Sequence, residues 1–358
     1  ADDSLGERND VHAVSLEHKL GVHASPTCVM SFGDKEGAVG YLVGRENEGL
    51  SHMFTMMNHA RLGVGMQGVG IADRAYQQAL EYARDRVQGT APGMEGRVAI
   101  IHHADVRRML MLMRSMTEAM RAVAYVTAAS LDLAHHSEDA ATAQQHSARL
   151  DLLVPVAKGW CTEIAQEVAT LGVQVHGGMG FVEETGAAQH FRDARIITIY
   201  EGTTGIQASD LVGRKILRDQ GAAMHSLLEE LNAFVAGMVV DDTQLGLVQQ
   251  RVSEGVGALA EASEWLLQNG TADPHSAGAI AGNFLMLMGT VLGGYQLARA
   301  AAIAQQKLAA AEGDADFYRA KIASAVFYAE HVLPRSKAYL DTVLAGATST
   351  MALPIEQL

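Results

Sequence analysis

The stretch Arg61–Gly70, RLGVGMQGVG, decides between two folds for this chain. Its glycines 63, 65 and 68 form the pattern G-x-G-x-x-G, and Asp85 follows at the spacing of a ribose-binding acid. A dinucleotide-binding turn, however, needs a strand before the glycines and a helix after them. Here helical periodicity runs through the glycines: Leu50, Met53, Met57 and Leu62 lie three to five residues apart, and Ile71, Ala75, Ala79 and Tyr82 continue the stripe beyond the glycines. We therefore predict one long helix in which the glycines allow close helix–helix approach and bind no nucleotide.

The same period predicts helices through most of the chain. It indicates helices around 106–123 and 138–171 and one from YEGTTG to about 217, and later stripes around 227–238, 248–259, 285–295 and 322–328. We interpret these as two helical bundles in series, joined near 218–221. The many methionines at helical spacing are interpreted as core residues.

Only the first fifth of the sequence has the pattern of strands. VHAVSLEHKLGV, SPTCVMSFGD and AVGYLVG predict three short strands, which are too few for a stable sheet alone. We expect either that more sheet precedes residue 1 or that the strands pack on something else. The predicted fold is mainly α: residues 1–47 are the remnant of a β-domain, 48–218 a four-helix bundle, and 219–358 a second helical bundle.

Composition excludes several classes of partner and site. The 358 residues carry a formal net charge of -14, which argues against nucleic acid and anionic membrane surfaces. Cys28 and Cys161, the two cysteines, are typical of a reducing compartment, and a cytoplasmic location is expected. The apolar stretch Ala281–Tyr295 is too short and interrupted for a transmembrane segment and predicts a buried helix. The paired histidines 102–103 and 135–136 point apart on a helix, so no metal site is expected.

The stretch FRDARIITIYEGTTGIQ, Phe191–Gln207, is the candidate for chemistry. Glu201 follows an apolar run that we expect to be extended, and it precedes a helix start at Gly202-Thr203-Thr204. Burial raises the pKa of a carboxylate and a helix N-terminus lowers it, so Glu201 could be a base that works near neutral pH. A capping Glu on a solvated loop explains the same residues, and both interpretations remain open at this point.

Five blocks, in order, resemble the flavin-dependent acyl-CoA dehydrogenases. They are HKLGVHASPTC, LVGRENEGLSHMF, ARLGVGMQGVGIADRAYQQALEYARDRVQG, VQVHGGMGF and RDARIITIYEGTTGIQ, and the similarity covers about residues 15 to 215. The resemblance implies α,β-dehydrogenation of an acyl-CoA thioester, with hydride passing to FAD. It places the catalytic base on Glu201, whose backbone N–H would polarise the thioester carbonyl together with a flavin hydroxyl.

The resemblance also assigns binding residues. Substrate contacts fall on Asn58, Arg61, Tyr200 and Gly202, of which the first two match the helix that lies along the CoA chain. FAD contacts fall on Arg86, Gln88, Gln174, Gly177, Gly178, Thr203 and Gly205. The family pattern R-x-Q-F-G reads RVQGT here, so the aromatic residue after Gln88 is missing. The stretch 174–178 commonly serves the FAD of a neighbouring subunit in this family.

The chain also departs from the family pattern. Typical members begin with a helical domain followed by a β-domain, so the chain is expected to be the C-terminal portion of a longer enzyme, inactive by itself. Residues 219–358 resemble the C-terminal extension of a larger subgroup that includes enzymes acting on methylthiopropanoyl-CoA and on long-chain substrates. The resemblance implies a homodimer and an electron-transfer flavoprotein as electron acceptor. Two alternatives remain: a helical dimerisation module without chemistry, and a flavin oxidase relative on the same scaffold.

Overall fold

The structure is a computed structural model that describes residues 4–240 and 243–358. The side chains at positions 54, 55, 58 and 274 lie outside this description. The chain divides into two compact units, Ala1–His59 and Ala60–Leu358, which are described separately.

The first unit contains two antiparallel strands. The strand β1, Val11–Leu16, pairs with β2, Cys28–Phe32, with Val11 opposite Phe32 and an irregularity between Ala13 and Ser15.

The prediction of a third strand at 38–44 is wrong, because these described residues form no strand. The backbone of Val39 bonds a side chain instead: its N–H donates to Asn9 Oδ1 at 2.9 Å, and Asn9 Nδ2 donates to its carbonyl at 2.8 Å. These side-chain bonds satisfy the groups that a sheet ladder would otherwise bind.

Most of the rest of the described chain is helical. The helices are α1 Gly49–Asp85, α2 Ala104–His136, α3 Ala140–His176, α4 Ala187–Ile197, α5 Thr204–Ser209, α6 Ala222–Gly237, α7 Thr243–Asn269, α8 Pro274–Ala309, α9 Ala315–His331 and α10 Arg335–Leu344. A π-helical segment, Asp210–Leu217, continues α5. The mainly α fold and the long predicted helices are confirmed; the domain bounds 1–47, 48–218 and 219–358 stay a prediction.

The glycine pattern of α1 lies inside the helix, as predicted. A Cβ added at Gly65 would lie 2.6 Å from the carbonyl oxygen of Ala157 in α3, and one at Gly68 would lie 3.1 Å from that of Cys161. A Cβ at Gly63 would meet nothing within 4 Å. Close approach to α3 therefore explains the glycines at 65 and 68.

Replacing a glycine of α1 with alanine is expected to change stability in opposite directions on the face that contacts α3 and on the open face. Gly65→Ala should lower the free energy of unfolding by about 1–3 kcal/mol, because α1 or the α3 backbone must move. Gly63→Ala should raise it by up to about 1 kcal/mol, because alanine favours helix and the site is open. Urea unfolding of both variants checks this, and equal effects would contradict the packing explanation.

The helix α4 corrects the expectation of an extended run before Glu201. Gly186, with φ +80°, is the N-cap residue before the helix, and Ala194 and Ile197 are buried three residues apart on one face. The β-branched residues that suggested a strand lie at the helix end. Packing of that face overrides their preference for extended backbone.

The helix α8 is buried in the core, as predicted for Ala281–Tyr295, but it is much longer than that stretch. By length and composition it could cross a membrane, although 67% of its most apolar window is buried inside the protein. Gly289 lies against the ring of Trp160 in α3, one of the largest fully buried side chains. Met113, Met116 and Met120 in α2 are buried in the same core, which confirms their interpretation as core residues.

Candidate active site

The candidate catalytic residue lies in the turn between α4 and α5. Glu201 has φ +54° and Gly202 has φ +91°, so two successive residues adopt left-handed backbone. For a glutamate this conformation is strained and persists only where its surroundings hold it. The φ of +91° at position 202 favours glycine, and a Cβ there would also lie 2.5 Å from Gln207 Nε2.

The second half of the turn is closed by threonines. The backbone N–H of Thr204 donates to Thr198 O at 3.0 Å, and Thr203 Oγ1 accepts a 3.3 Å bond from the N–H of Ile206. The Thr204 hydroxyl donates to Glu163 Oε1 of α3 at 2.5 Å. The sequence Thr-Thr-Gly therefore caps α5 and attaches the turn to α3.

Two buried side chains hold the carbonyl oxygens of the left-handed pair. Lys158 of α3, which is 0% exposed, donates from Nζ to Gly202 O at 2.6 Å. Gln207 Nε2 donates to Glu201 O at 3.2 Å. Burial lowers the pKa of Lys158 to about 8, although Glu163 and Glu201 favour its charged form.

The side chain of Glu201 is half-buried, less enclosed than the sequence suggested. Its backbone N–H donates to no acceptor in the described part of the chain. The neighbouring Tyr200 hydroxyl donates to Gln67 Oε1, and burial raises the pKa of this phenol. The turn thus presents a carboxylate and a free N–H at one residue, which could take a proton and bind a carbonyl oxygen.

Of the two predicted substrate residues of α1, Arg61 is the one whose side chain the structure describes. Arg61 is only 4% exposed, and its Nη1 lies 3.1 Å from Oδ2 of the buried Asp210. Asn58 has its side chain outside the described residues. A contact of either residue with CoA stays a prediction, and for Arg61 the buried ion pair favours a structural role.

A double-mutant cycle separates these roles of Arg61. Arg61→Met should lower the free energy of unfolding by about 3–5 kcal/mol, because it leaves the Asp210 carboxylate buried without this partner. Adding Asp210→Leu should recover much of that loss, since both charges are then replaced by apolar groups. Urea unfolding measures both changes, and an unaltered stability in Arg61→Met would contradict the structural role.

The residues predicted to contact FAD lie on separate surfaces. Arg86 and Gln88 are exposed beyond α1, with Arg86 Nη2 3.4 Å from Gln88 Oε1. Gln174, Gly177 and Gly178 are exposed at the end of α3, where Tyr82 of α1 stacks on His176 at 4.4 Å.

Thr203 and Gly205 are exposed at the start of α5, beside Glu163 of α3. Eleven residues of α3, about 16 Å, separate Glu163 from Gln174. The ends of α1 and α3 thus form one surface, and the start of α5 forms another.

Sequence reasoning missed the polar residues beneath the turn. Lys158, Glu163, Gln207 and Asp210 make contacts with it or with Arg61. A lone lysine in the apolar run LLVPVAKGWC was the available signal, because an unpaired buried lysine is rare. Among residues 4–240 and 243–358, no group of three His, Cys, Asp or Glu side chains is placed to hold a metal ion.

Two family models match the chain. The model described as "Acyl-CoA dehydrogenase, C-terminal domain" matches residues 47–217, and "Acetyl-CoA dehydrogenase C-terminal like" matches residues 227–354. The chain belongs to the acyl-CoA dehydrogenase family. The resemblance identified from the five sequence blocks is thereby confirmed.

The relatives that match this chain are longer than it is. It is 50% identical over 329 residues to the 3-methylmercaptopropionyl-CoA dehydrogenase of Ruegeria pomeroyi, a match that covers 91% of this chain and 55% of the relative. It is 37% identical over 350 residues to the broad-specificity linear acyl-CoA dehydrogenase FadE5 of Mycobacterium tuberculosis, covering 92% and 56%.

The acyl-CoA dehydrogenase of Bacillus anthracis complexed with FAD shares the fold, with a TM-score of 0.75 and 19% identity over 94% of this chain and 57% of that one. The chain thus spans little more than half the length of these proteins.

Proposed function

We propose that this chain supplies the catalytic base of an FAD-dependent acyl-CoA dehydrogenase. The observation that carries the proposal is the Glu201 turn, in which strained backbone presents a half-buried carboxylate beside an unpaired N–H. Strain of this kind is concentrated at functional sites. Membership of the family and the acyl-CoA substrates in the relatives' names agree with this chemistry.

In the proposed reaction Glu201 takes the proton from the α-carbon of the thioester. The Glu201 N–H donates to the thioester carbonyl oxygen, which becomes more negative as the α-proton leaves, so this bond strengthens towards the transition state. The β-hydrogen would leave with its electron pair to bound FAD, which would serve as the hydride acceptor, and an α,β double bond would remain in the product. Tyr200 and Gly202 flank the base and define the wall against which the acyl group lies.

The exposed residues of the chain fit parts of a phosphate-bearing cofactor. A Cβ at Gly177 or Gly178 would meet nothing within 4 Å, and one at Gly205 would meet only the Thr203 hydroxyl oxygen at 3.9 Å. Such open glycine backbone lets a ligand approach the main chain closely. Thr203 and Gly205 would hold FAD near the base, while Arg86, Gln88 and Gln174 would hold the adenosine diphosphate part.

We propose a homodimer. Gln174 lies about 16 Å along α3 from Glu163, which contacts Thr204 at the start of α5, and we propose that the residues at the end of α3 serve the cofactor of a second subunit. We further propose a cytoplasmic location and an electron-transfer flavoprotein as the acceptor of the electrons. The surplus of acidic residues, 41 against 27 basic, accords with a soluble metabolic partner and not with nucleic acid.

Flavin retention tests how much of the cofactor site this chain contains. We expect the 358-residue chain, incubated with excess FAD and desalted, to lose the flavin, and the protein in its natural form to keep it in stoichiometric amount. The absorbance spectrum of each sample measures this. A natural protein that kept no flavin would contradict the proposed cofactor, and retention by the 358-residue chain would contradict the expected incompleteness of the site.

A further inference from the structure

We propose that Lys158 is a positioning residue that holds the Glu201 turn in its left-handed form through its hydrogen bond to the Gly202 carbonyl oxygen. The inference rests on the proposed function, because it gives Lys158 a role towards the base. It concerns a residue that the sequence analysis missed and that lies 44 positions before its acceptor.

The side chain of Lys158 contacts the Glu201 turn. The ammonium is fully buried in α3, and its hydrogen bond, 2.6 Å from Nζ to Gly202 O, ends on the backbone of the left-handed pair. Burying an ammonium costs free energy unless it is hydrogen-bonded or paired, and most of the buried residues near Lys158 in α3 are apolar. Its charge also strengthens the bond beyond that of a neutral donor.

The geometry of the turn needs such a bond. Glu201 and Gly202 direct their carbonyl oxygens towards α3 and α5, where Lys158 and Gln207 donate to them. These two bonds fix the peptide groups that carry the Glu201 and Gly202 carbonyls. They thereby restrict the directions of the Glu201 side chain and N–H. The Gln207 amide binds Gly202 O more weakly than Lys158 does, because its hydrogen bond to that oxygen is 3.4 Å long. Without the ammonium, the left-handed glutamate can relax to a commoner conformation.

The test is Lys158→Met in the natural protein loaded with FAD, compared with Thr162→Val. Methionine removes the donor and the charge while keeping an unbranched side chain. Thr162 is an equally buried polar residue of α3 whose hydroxyl bonds Gly159 O in its own helix and does not reach the turn. Lys158→Gln, with a donor too short to reach Gly202, is the second variant if the methionine variant fails to fold.

Two readouts decide the result. Hydrogen–deuterium exchange of a peptide covering 198–207 should speed up by about tenfold or more in Lys158→Met, with α2 unchanged, and should stay at the wild-type rate in Thr162→Val. The limiting rate of flavin reduction by an acyl-CoA should fall by about tenfold to a hundredfold, with the half-saturating concentration within about threefold of wild type.

Unchanged exchange at 198–207 would overturn the inference, and so would faster exchange with an unchanged limiting rate. Failure of the proposed function has a different signature. A Glu201→Gln protein that still reduced its flavin would refute the base, whereas the exchange comparison would still test the bond from Lys158 separately.

Discussion

Replacing Glu201 with glutamine is expected to lower the rate of flavin reduction by acyl-CoA by about 10²- to 10⁴-fold, the range lost with a general base. The amide has nearly the same shape as the carboxylate but cannot take the α-proton. The change leaves the backbone N–H in place, so binding of acyl-CoA should change far less than the rate. Anaerobic stopped-flow mixing of the FAD-loaded natural protein with acyl-CoA measures both quantities.

Glu184→Gln is the matched control. It removes the same negative charge from an exposed residue in the short turn before α4. Its reduction rate should equal that of the wild type. Loss of activity in both variants would point to a general effect of charge, and retention in Glu201→Gln would show that another group takes the proton.

The second large effect is expected at Gly289. A Cβ at this position in α8 would lie 2.1 Å from Cγ of Trp160, whose ring is fully buried in α3. Because the ring is fully buried, either the ring or α8 must shift within the close-packed core to relieve this contact. Gly289→Ala should therefore lower the free energy of unfolding by about 2–4 kcal/mol, measured by urea unfolding.

Gly282→Ala in the same helix provides the comparison. A Cβ there meets nothing within 4 Å, and the residue is exposed. Alanine should raise the stability by up to about 1 kcal/mol, because it favours helix over glycine. A destabilisation of equal size at both positions would show that the contact between α8 and Trp160 is not the cause.

The long helices could be predicted because their apolar stripes repeat over many turns. The stripe from Leu62 to Tyr82 outweighed the nucleotide-binding pattern of three glycines, and two of those glycines contact α3 in the structure. The position of Glu201 just before a helix could also be predicted, because Thr203 is a typical N-cap and caps α5.

What could not be predicted depends on contacts between distant residues. The run 191–200 is rich in β-branched residues and suggested extended backbone, whereas burial of Ala194 and Ile197 makes its first part α4. The segment 38–44 resembled a strand, but Asn9 binds its backbone. The same holds for Arg61, whose partner Asp210 lies 149 positions away. Local sequence does not encode these partners.

Glu201 and bound FAD are proposed to dehydrogenate an acyl-CoA together, and one half-reaction tests this directly. The FAD-loaded natural protein is mixed anaerobically with 3-methylmercaptopropionyl-CoA or butyryl-CoA, and the oxidised-flavin absorbance and the acyl product are measured. We expect loss of that absorbance, with one α,β-unsaturated acyl-CoA formed per flavin reduced. Flavin that stays oxidised while both acyl-CoAs bind would contradict the proposed reaction.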